Sequence, residues 1–151
     1  MKSILVLCEG NHCRSPIAEA LLQAELGPEV RVESAGFNAL EGQPADLQVQ
    51  QVTREHQIDL AGHRGRQWTT EMALRADLIL VMEEYQKTMC EALVPSVRGR
   101  VFLLGHWRAD PPRDIPDPYG LGLESTRLSF ELIKQAVATW LPRFQRTQRS
   151  V

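Results

Sequence analysis

The chain has 151 residues, of which 43% are apolar and 24% charged, proportions that exclude a disordered or fibrous protein and fit a globular one. Its length predicts a single domain over residues 1–151, in which roughly two thirds of the surface of the unfolded chain can be buried. A formal net charge of -2 lacks the strong positive field that nucleic-acid binding requires, so no nucleic-acid partner is expected.

The first apolar run, residues 4–8, is long enough for a strand but too short for a signal-peptide core or a membrane span. We therefore expect a cytoplasmic protein without direct membrane insertion. The three cysteines are an odd number and cannot all pair within the chain, and a reducing compartment would keep them as thiols. Cysteine chemistry in this protein is therefore expected to be catalytic or redox chemistry.

A strand, a loop and a helix are predicted at the start of the chain. Residues 3–7 are aliphatic, residues 8–14 are polar, and apolar residues then follow at helical spacing until Gly27. Ser15 fits the N-cap of this helix and Pro16 its first helical position.

The rest of the chain continues the alternation. Three more strands are predicted, at residues 30–34, 78–82 and 101–104. A second helix is predicted over residues 44–56, with Leu47, Val49 and Val52 buried. Residues 105–120 are rich in Pro, Asp and Arg and predict a long ordered loop.

A wide apolar stripe, which includes Leu128, predicts a last helix over residues 123–141, ended by Pro142. Strands that alternate with helices favour a parallel sheet with right-handed crossovers. The sequence therefore predicts a single α/β domain of three layers, with a four-stranded parallel twisted sheet and helices on both faces. Ligands bind such sheets beyond the carboxyl ends of the strands, where the loop after the first strand lies.

That loop carries a thiol and a guanidinium at its two ends, Cys8 and Arg14, and leads into a helix N-terminus. Successive backbone N–H groups in such a loop can form an anion nest, and the helix dipole adds positive potential. Gly10 and Asn11 tolerate backbone conformations that other residues resist. The same potential favours the nucleophilic thiolate of Cys8, and Arg14 can grip two phosphoryl oxygens in a bidentate fork.

The loop resembles the Cys-x5-Arg-Ser loop of the low-molecular-weight protein-tyrosine phosphatases. Further matches follow in family order across nearly the whole chain, at residues 33–36, 62–67, 82–83 and 117–119. The resemblance implies a flavodoxin-like fold and a phosphoric monoester hydrolase without metal or cofactor. The expected reaction is hydrolysis of protein phosphotyrosine through a cysteinyl-phosphate intermediate, with phosphate or similar oxyanions as competitive ligands.

Residues 105–107 and 115–119 resemble the bacterial branch of the family that acts on tyrosine autokinases of exopolysaccharide export. Such a kinase is therefore the expected partner. This inference rests on analogy between sequences.

The resemblance also implies roles for individual residues. Cys8 is the expected nucleophile, Arg14 the phosphate clamp, and Asp117 the acid that protonates the leaving group and later the base for water. If Asp117 is not the acid, Asp114 and Asp110 in the same loop are the other candidates. The expected phosphate-binding loop comprises Glu9, Gly10, Asn11, His12, Cys13 and Ser15.

Supporting roles are implied in the same way. Ser15 is expected to hydrogen-bond the Cys8 sulfur and Asn11 to fix the loop, while Ser34 and His63 brace it from outside. For His63 the ordinary alternative is a surface turn histidine. Cys13 could trap an oxidised Cys8 as a disulfide, could simply fill space in the loop, or could do both.

The expected pocket walls are Tyr119, which could instead belong to the core, and Phe37 or Leu40. The last two stand where many members of the family have a tryptophan. His12 also departs from the pattern, because similar tyrosine phosphatases often have an aliphatic residue there and similar arginine-phosphate phosphatases a threonine. Both departures bear on substrate preference.

Two other enzyme classes and a metal site are the alternatives. A phosphatase for another phosphorylated residue, such as phosphoarginine, uses the same loop. Arsenate reduction needs two further cysteines to pass oxidation outward, and Cys90 alone does not supply them. Zinc binding by Cys8 and Cys13 lacks a second ligand pair at finger-like spacing.

Overall fold

The computed structural model describes residues 1–110 and 113–149. Four strands, β1 (Ser3–Cys8), β2 (Arg31–Gly36), β3 (Leu78–Val81) and β4 (Val101–Leu103), form one sheet in the order β2-β1-β3-β4. All three neighbouring pairs are parallel. The predicted α/β fold with a four-stranded parallel sheet is confirmed.

Within these described residues, five helices accompany the sheet: α1 (Arg14–Leu26), α2 (Leu47–Glu55), α3 (Thr70–Arg75), α4 (Glu84–Leu93) and α5 (Leu123–Arg149), with a short 3-10 turn at Pro95–Val97. Within the described part of the chain, no helix is both long and apolar enough to cross a membrane.

Strands β1 and β3 are almost entirely buried on both faces, which explains their nearly continuous apolar sequences. Because successive side chains of a strand point to opposite faces, Ile4 and Val6 pack with α1, α2 and α5. Leu5 and Leu7 pack on the other face with α3 and α4. Each such fully buried aliphatic side chain contributes about 1.5–3 kcal/mol.

The carboxyl end of β1 is a topological switch point, because β2 lies on one side of β1 and β3 on the other. The connection that leaves β1 runs to β2 and the one that leaves β3 runs to β4, in opposite directions along the sheet, which opens a crevice at this end of the sheet. Residues 9–13 lie in that crevice and lead directly into α1.

Several predicted boundaries were wrong for local reasons. Helix α1 starts at Arg14, with Cys13 in the N-cap position and no side-chain cap, since the Ser15 hydroxyl contacts a sulfur instead. Helix α2 starts at Leu47 because the side chain of Asp46 caps it, and this leaves Leu47 78% exposed.

Pro142 does not end α5, which continues to Arg149. Proline costs a helix one hydrogen bond, but packing holds the chain helical on both sides of it. The Trp140 indole donates to Leu104 O at 2.8 Å and stacks on Phe144. Leu128, predicted within the buried stripe, is exposed.

Helices α3 and α4 were not predicted. Helix α3 is only 6 residues long, and α4 follows β3 after two residues and depends on a capping box between Glu83 and Gln86. Neither carries a long apolar period.

Candidate active site

The loop after β1 is held by its own carbonyl groups, five of which accept hydrogen bonds from outside the loop. The pairs are Cys8 O with Phe37 N at 3.1 Å, Glu9 O with Asn38 N at 2.8 Å, Gly10 O with Leu40 N at 3.0 Å, Asn11 O with His63 Nε2 at 2.8 Å, and His12 O with Asp46 N at 3.1 Å.

A trans peptide holds its C=O and N–H groups on opposite sides, so these outward carbonyls direct the N–H groups of residues 9–13 to the inside of the loop. Within the described residues, none of these N–H groups donates to another backbone group. Together with the N-terminus of α1 they form a positive, anion-sized nest.

The left-handed conformation that the loop needs falls on Asn11, with φ 51°, and not on Gly10. The necessary glycine is instead Gly36 at the end of β2. A Cβ there would lie 2.7 Å from Asn11 N and 2.8 Å from Glu9 O. The loop can therefore pack against β2 only because residue 36 has no side chain.

The thiol of Cys8 is buried at the base of the loop, and its Sγ lies 3.0 Å from Ser15 Oγ. The second thiol of the loop, Cys13, is also buried. Burial raises the pKa of Cys13 far above its usual value, and the nearby carboxylates of Asp46 and Asp117 raise it further. Cys13 is therefore held as a neutral thiol.

The side chain of Asn11 connects the loop to its surroundings. Its Nδ2 donates to Ser15 Oγ at 2.8 Å and to Ser34 Oγ at 3.0 Å, and its Oδ1 accepts from Arg66 N at 2.9 Å. The Arg66 guanidinium donates in turn to Ser34 O. The structure thus places Ser34 and His63 against the loop, and adds Arg66, which was not predicted as a site residue.

Arg14 is 1% exposed, so its charge needs partners. Its Nη1 pairs with the Glu83 carboxylate and donates to Ile115 O at 2.6 Å, while its Nη2 lies 3.7 Å from Asp117 Oδ2. Glu83 was not predicted to act on Arg14, because a residue before a helix gives no sign of a partner 69 positions away.

Asp117 lies at the mouth of the same pocket. Its Oδ1 accepts from Tyr119 N at 3.0 Å, which orients the carboxyl, and its side chain is 42% exposed. A carboxyl with this access to solvent can exchange protons with water and with a bound leaving group.

One pocket brings the three predicted catalytic residues, Cys8, Arg14 and Asp117, together. The residues that line it are Cys8, Glu9, Gly10, His12, Cys13, Arg14, Asn38, Leu40, Asp117 and Tyr119. Tyr119 is 60% exposed, which excludes the alternative of a core residue, and its ring packs edge-on against His12.

Phe37 does not line this pocket. It is buried and packs against Trp68 in the core beneath β2, because the strand alternation of β2 continues one residue past its end. Asn38, which was not predicted, lines the pocket in its place.

Comparisons with known proteins agree on one family. A family model described as "Low molecular weight phosphotyrosine protein phosphatase" matches residues 3–150. The low molecular weight protein-tyrosine-phosphatase Wzb of Escherichia coli (strain K12) is 44% identical over 139 residues, which are 91% of this chain and 92% of that protein.

Two solved structures are similar over nearly their full lengths. The tyrosine phosphatase Wzb from Escherichia coli K30, in complex with sulphate, has a TM-score of 0.89 and 38% identity, covering 95% of this chain and 98% of that one. The YwlE arginine phosphatase from Geobacillus stearothermophilus has a TM-score of 0.91 and 32% identity, covering 99% and 97%.

Proposed function

Because the chain belongs to the family of low-molecular-weight phosphotyrosine protein phosphatases, we propose that it hydrolyses protein phosphotyrosine through a cysteinyl-phosphate intermediate. The observation that carries this proposal is the convergence of a buried thiol, inward N–H groups, a buried guanidinium and an accessible carboxyl on one pocket. We further propose that residues 1–151 form one domain of this kind.

In the first step the Cys8 thiolate attacks phosphorus and the bond from phosphorus to the tyrosyl oxygen breaks. The protonated Asp117 carboxyl gives its proton to that oxygen, so tyrosine leaves as the neutral phenol. Loop N–H groups and Arg14 bind the phosphoryl oxygens, whose charge is spread in the transition state. The Ser15 hydroxyl, 3.0 Å from the sulfur, is placed to stabilise the thiolate.

In the second step a water molecule attacks the cysteinyl phosphate. The Asp117 carboxylate, left by the first step, accepts a proton from this water, and the sulfur–phosphorus bond breaks to release phosphate and the Cys8 thiolate. Inorganic phosphate and similar oxyanions occupy the same nest and are expected to compete with substrate.

The pocket suits a flat aromatic substrate. Tyr119 and Leu40, both exposed, line it on the outside and can pack against the faces of a tyrosine ring. His12, which also lines the pocket, packs edge-on against Tyr119 and can hold that ring in place.

The Asp117→Asn variant tests the acid. An amide cannot protonate the leaving oxygen, so we expect a loss of about a hundredfold or more with an aryl phosphate of high leaving-group pKa and a much smaller loss with p-nitrophenyl phosphate. The measurement is the slope of log kcat/KM against leaving-group pKa over a series of aryl phosphates.

Asp114→Asn is the matched control, since Asp114 lies in the same loop but its Oδ1 accepts from Glu84 N at 3.1 Å. It should lower stability and leave the slope unchanged. An unchanged slope in Asp117→Asn would instead move the acid to Asp114 or Asp110.

We propose a bacterial tyrosine autokinase that controls exopolysaccharide synthesis or export as the protein substrate. This proposal is supported by the likeness of residues 105–107 and 115–119 to the branch acting on such kinases. Incubation with the autophosphorylated kinase of the same bacterium should remove its phosphotyrosine, read with a phosphotyrosine antibody. Persistence of that signal while p-nitrophenyl phosphate is hydrolysed would reject the kinase as substrate.

We propose a redox role for Cys13, in which it forms a disulfide with oxidised Cys8. If a peroxide converts the Cys8 thiolate to a sulfenic acid, the Cys13 thiol can attack that sulfur and release water, forming a disulfide. The neutral state of Cys13 slows this step relative to a thiolate, because the thiolate is the attacking species.

Arsenate reduction is not favoured. Cys90, the remaining cysteine, is a fully buried residue of α4 that does not line the pocket, and burial together with Glu91 raises the pKa of its thiol to about 11. Such a thiol is a poor resolving nucleophile.

A further inference from the structure

We propose that Glu9 gives the enzyme a charge preference, so that it favours phosphotyrosine flanked by basic residues over phosphotyrosine flanked by acidic ones. The inference rests on the proposed phosphatase function and concerns the part of the substrate that lies outside the phosphate.

Glu9 is an anionic residue in a loop built to hold an anion. Glu9 lines the pocket, its backbone belongs to the inward nest, and its carboxylate is hydrogen-bonded to Asn38, which lines the pocket as well. In the proposed reaction the phosphoryl group lies inside the nest, against the N–H groups and Arg14, so the Glu9 carboxylate is left for the parts of the substrate outside the phosphate.

The Glu9 carboxylate is fixed by donors from two other segments. Asn38 Nδ2 donates to Oε1 at 2.5 Å, and the Tyr85 hydroxyl donates to Oε2 at 3.1 Å. Burial, and after it the hydrogen bond to Glu9, raises the pKa of Tyr85, so the phenol remains a donor. The Glu9 carboxylate is therefore held in place by hydrogen bonds from Asn38 and Tyr85.

Within the described residues, no ion pair joins the Glu9 carboxylate to a lysine or an arginine. Residues 8–13, 36–53 and 114–126 contain no Lys or Arg, and their acidic residues are Glu9, Glu41, Asp46, Asp114, Asp117 and Glu124. Lys87 on α4 is the nearest lysine in sequence to Tyr85, and its Nζ pairs with Glu91 at 2.9 Å. Arg14 is buried and paired with Glu83.

A peptide that places its phosphotyrosine in the pocket brings its neighbouring residues to this rim. Lysine or arginine there gains from the fixed carboxylate, and glutamate or aspartate is repelled. For partly exposed pairs we expect a difference of about three- to tenfold in kcat/KM from Glu9 alone.

The test uses two phosphotyrosine peptides of equal length, one with lysines and one with glutamates on both sides of the phosphotyrosine. The wild-type enzyme should show a higher kcat/KM for the lysine peptide, and the ratio should fall as salt is raised. Glu9→Gln keeps the size of the side chain and removes its charge, and it should lower the ratio at least about threefold.

Glu131→Gln is the matched control, because Glu131 is an exposed residue of α5 that does not line the pocket and loses the same charge. A general loss of activity in Glu9→Gln does not affect the ratio, since both peptides are assayed with the same protein.

The charge preference is overturned if Glu9→Gln and Glu131→Gln give the same ratio as wild type, or if wild type hydrolyses both peptides equally. A wild-type enzyme that hydrolyses neither of the two peptides nor p-nitrophenyl phosphate would be a different result. It would overturn the proposed function, and the preference with it.

Discussion

Replacing Cys8 by serine is expected to reduce turnover of p-nitrophenyl phosphate by at least about ten-thousand-fold, since a hydroxyl is scarcely ionised at neutral pH and is a far poorer nucleophile than a thiolate. The loop should remain folded, because its five carbonyl hydrogen bonds come from backbone atoms and His63 and not from the sulfur. Initial rates and thermal unfolding of the same preparation separate the two effects.

Cys90→Ser is the matched control for this substitution. Cys90 is also fully buried but lies outside the pocket, so the new hydroxyl should cost about 1–3 kcal/mol of stability while kcat stays near the wild-type value. Turnover by Cys8→Ser comparable to that of Cys90→Ser would remove Cys8 from the reaction.

Arg14→Lys should lose about a hundred- to ten-thousand-fold in kcat/KM, although its formal charge is kept. The guanidinium binds Glu83 and Ile115 O through Nη1, and its planar fork leaves further donors in fixed directions for phosphoryl oxygens. A lysine ammonium cannot keep both structural partners and also offer a bidentate contact.

Arg66→Lys provides the comparison, because Arg66 braces Ser34 O from outside the loop and its side chain is 44% exposed. The Arg66→Lys variant should lose much less kcat/KM than Arg14→Lys, and its inhibition by inorganic phosphate should stay close to that of the wild type. If the two lysine variants are equally active, the bidentate clamp is unnecessary.

The parts of the fold that sequence alone predicts are those with a strong local signal. Strands β1, β3 and β4 are short, mostly apolar runs, and the loop after β1 combines Cys8, Arg14 and a following helix in one continuous stretch. A reader of the sequence can therefore place the nest at the carboxyl end of β1 from the alternation of strands and helices.

Contacts between distant segments were not predictable in the same way. Glu83 reaches Arg14, and Tyr85 reaches Glu9, through the folded sheet, and no spacing in the chain announces either pair. Phe37 is buried because the alternation of side chains in β2 continues for one residue beyond the strand and directs Phe37 to the core, against Trp68. The continuation of α5 beyond Pro142 depends on the packing of Trp140. Tertiary packing decided both.

The most direct test of the account is the chemical identity of the intermediate. The Asp117→Asn variant, which should form the intermediate and hydrolyse it slowly, is mixed with an aryl phosphate of good leaving group and quenched rapidly. Tandem mass spectrometry should find one added phosphoryl group, located on Cys8. A phosphoryl group on another residue, or steady turnover by this variant with none on the protein, would contradict the account.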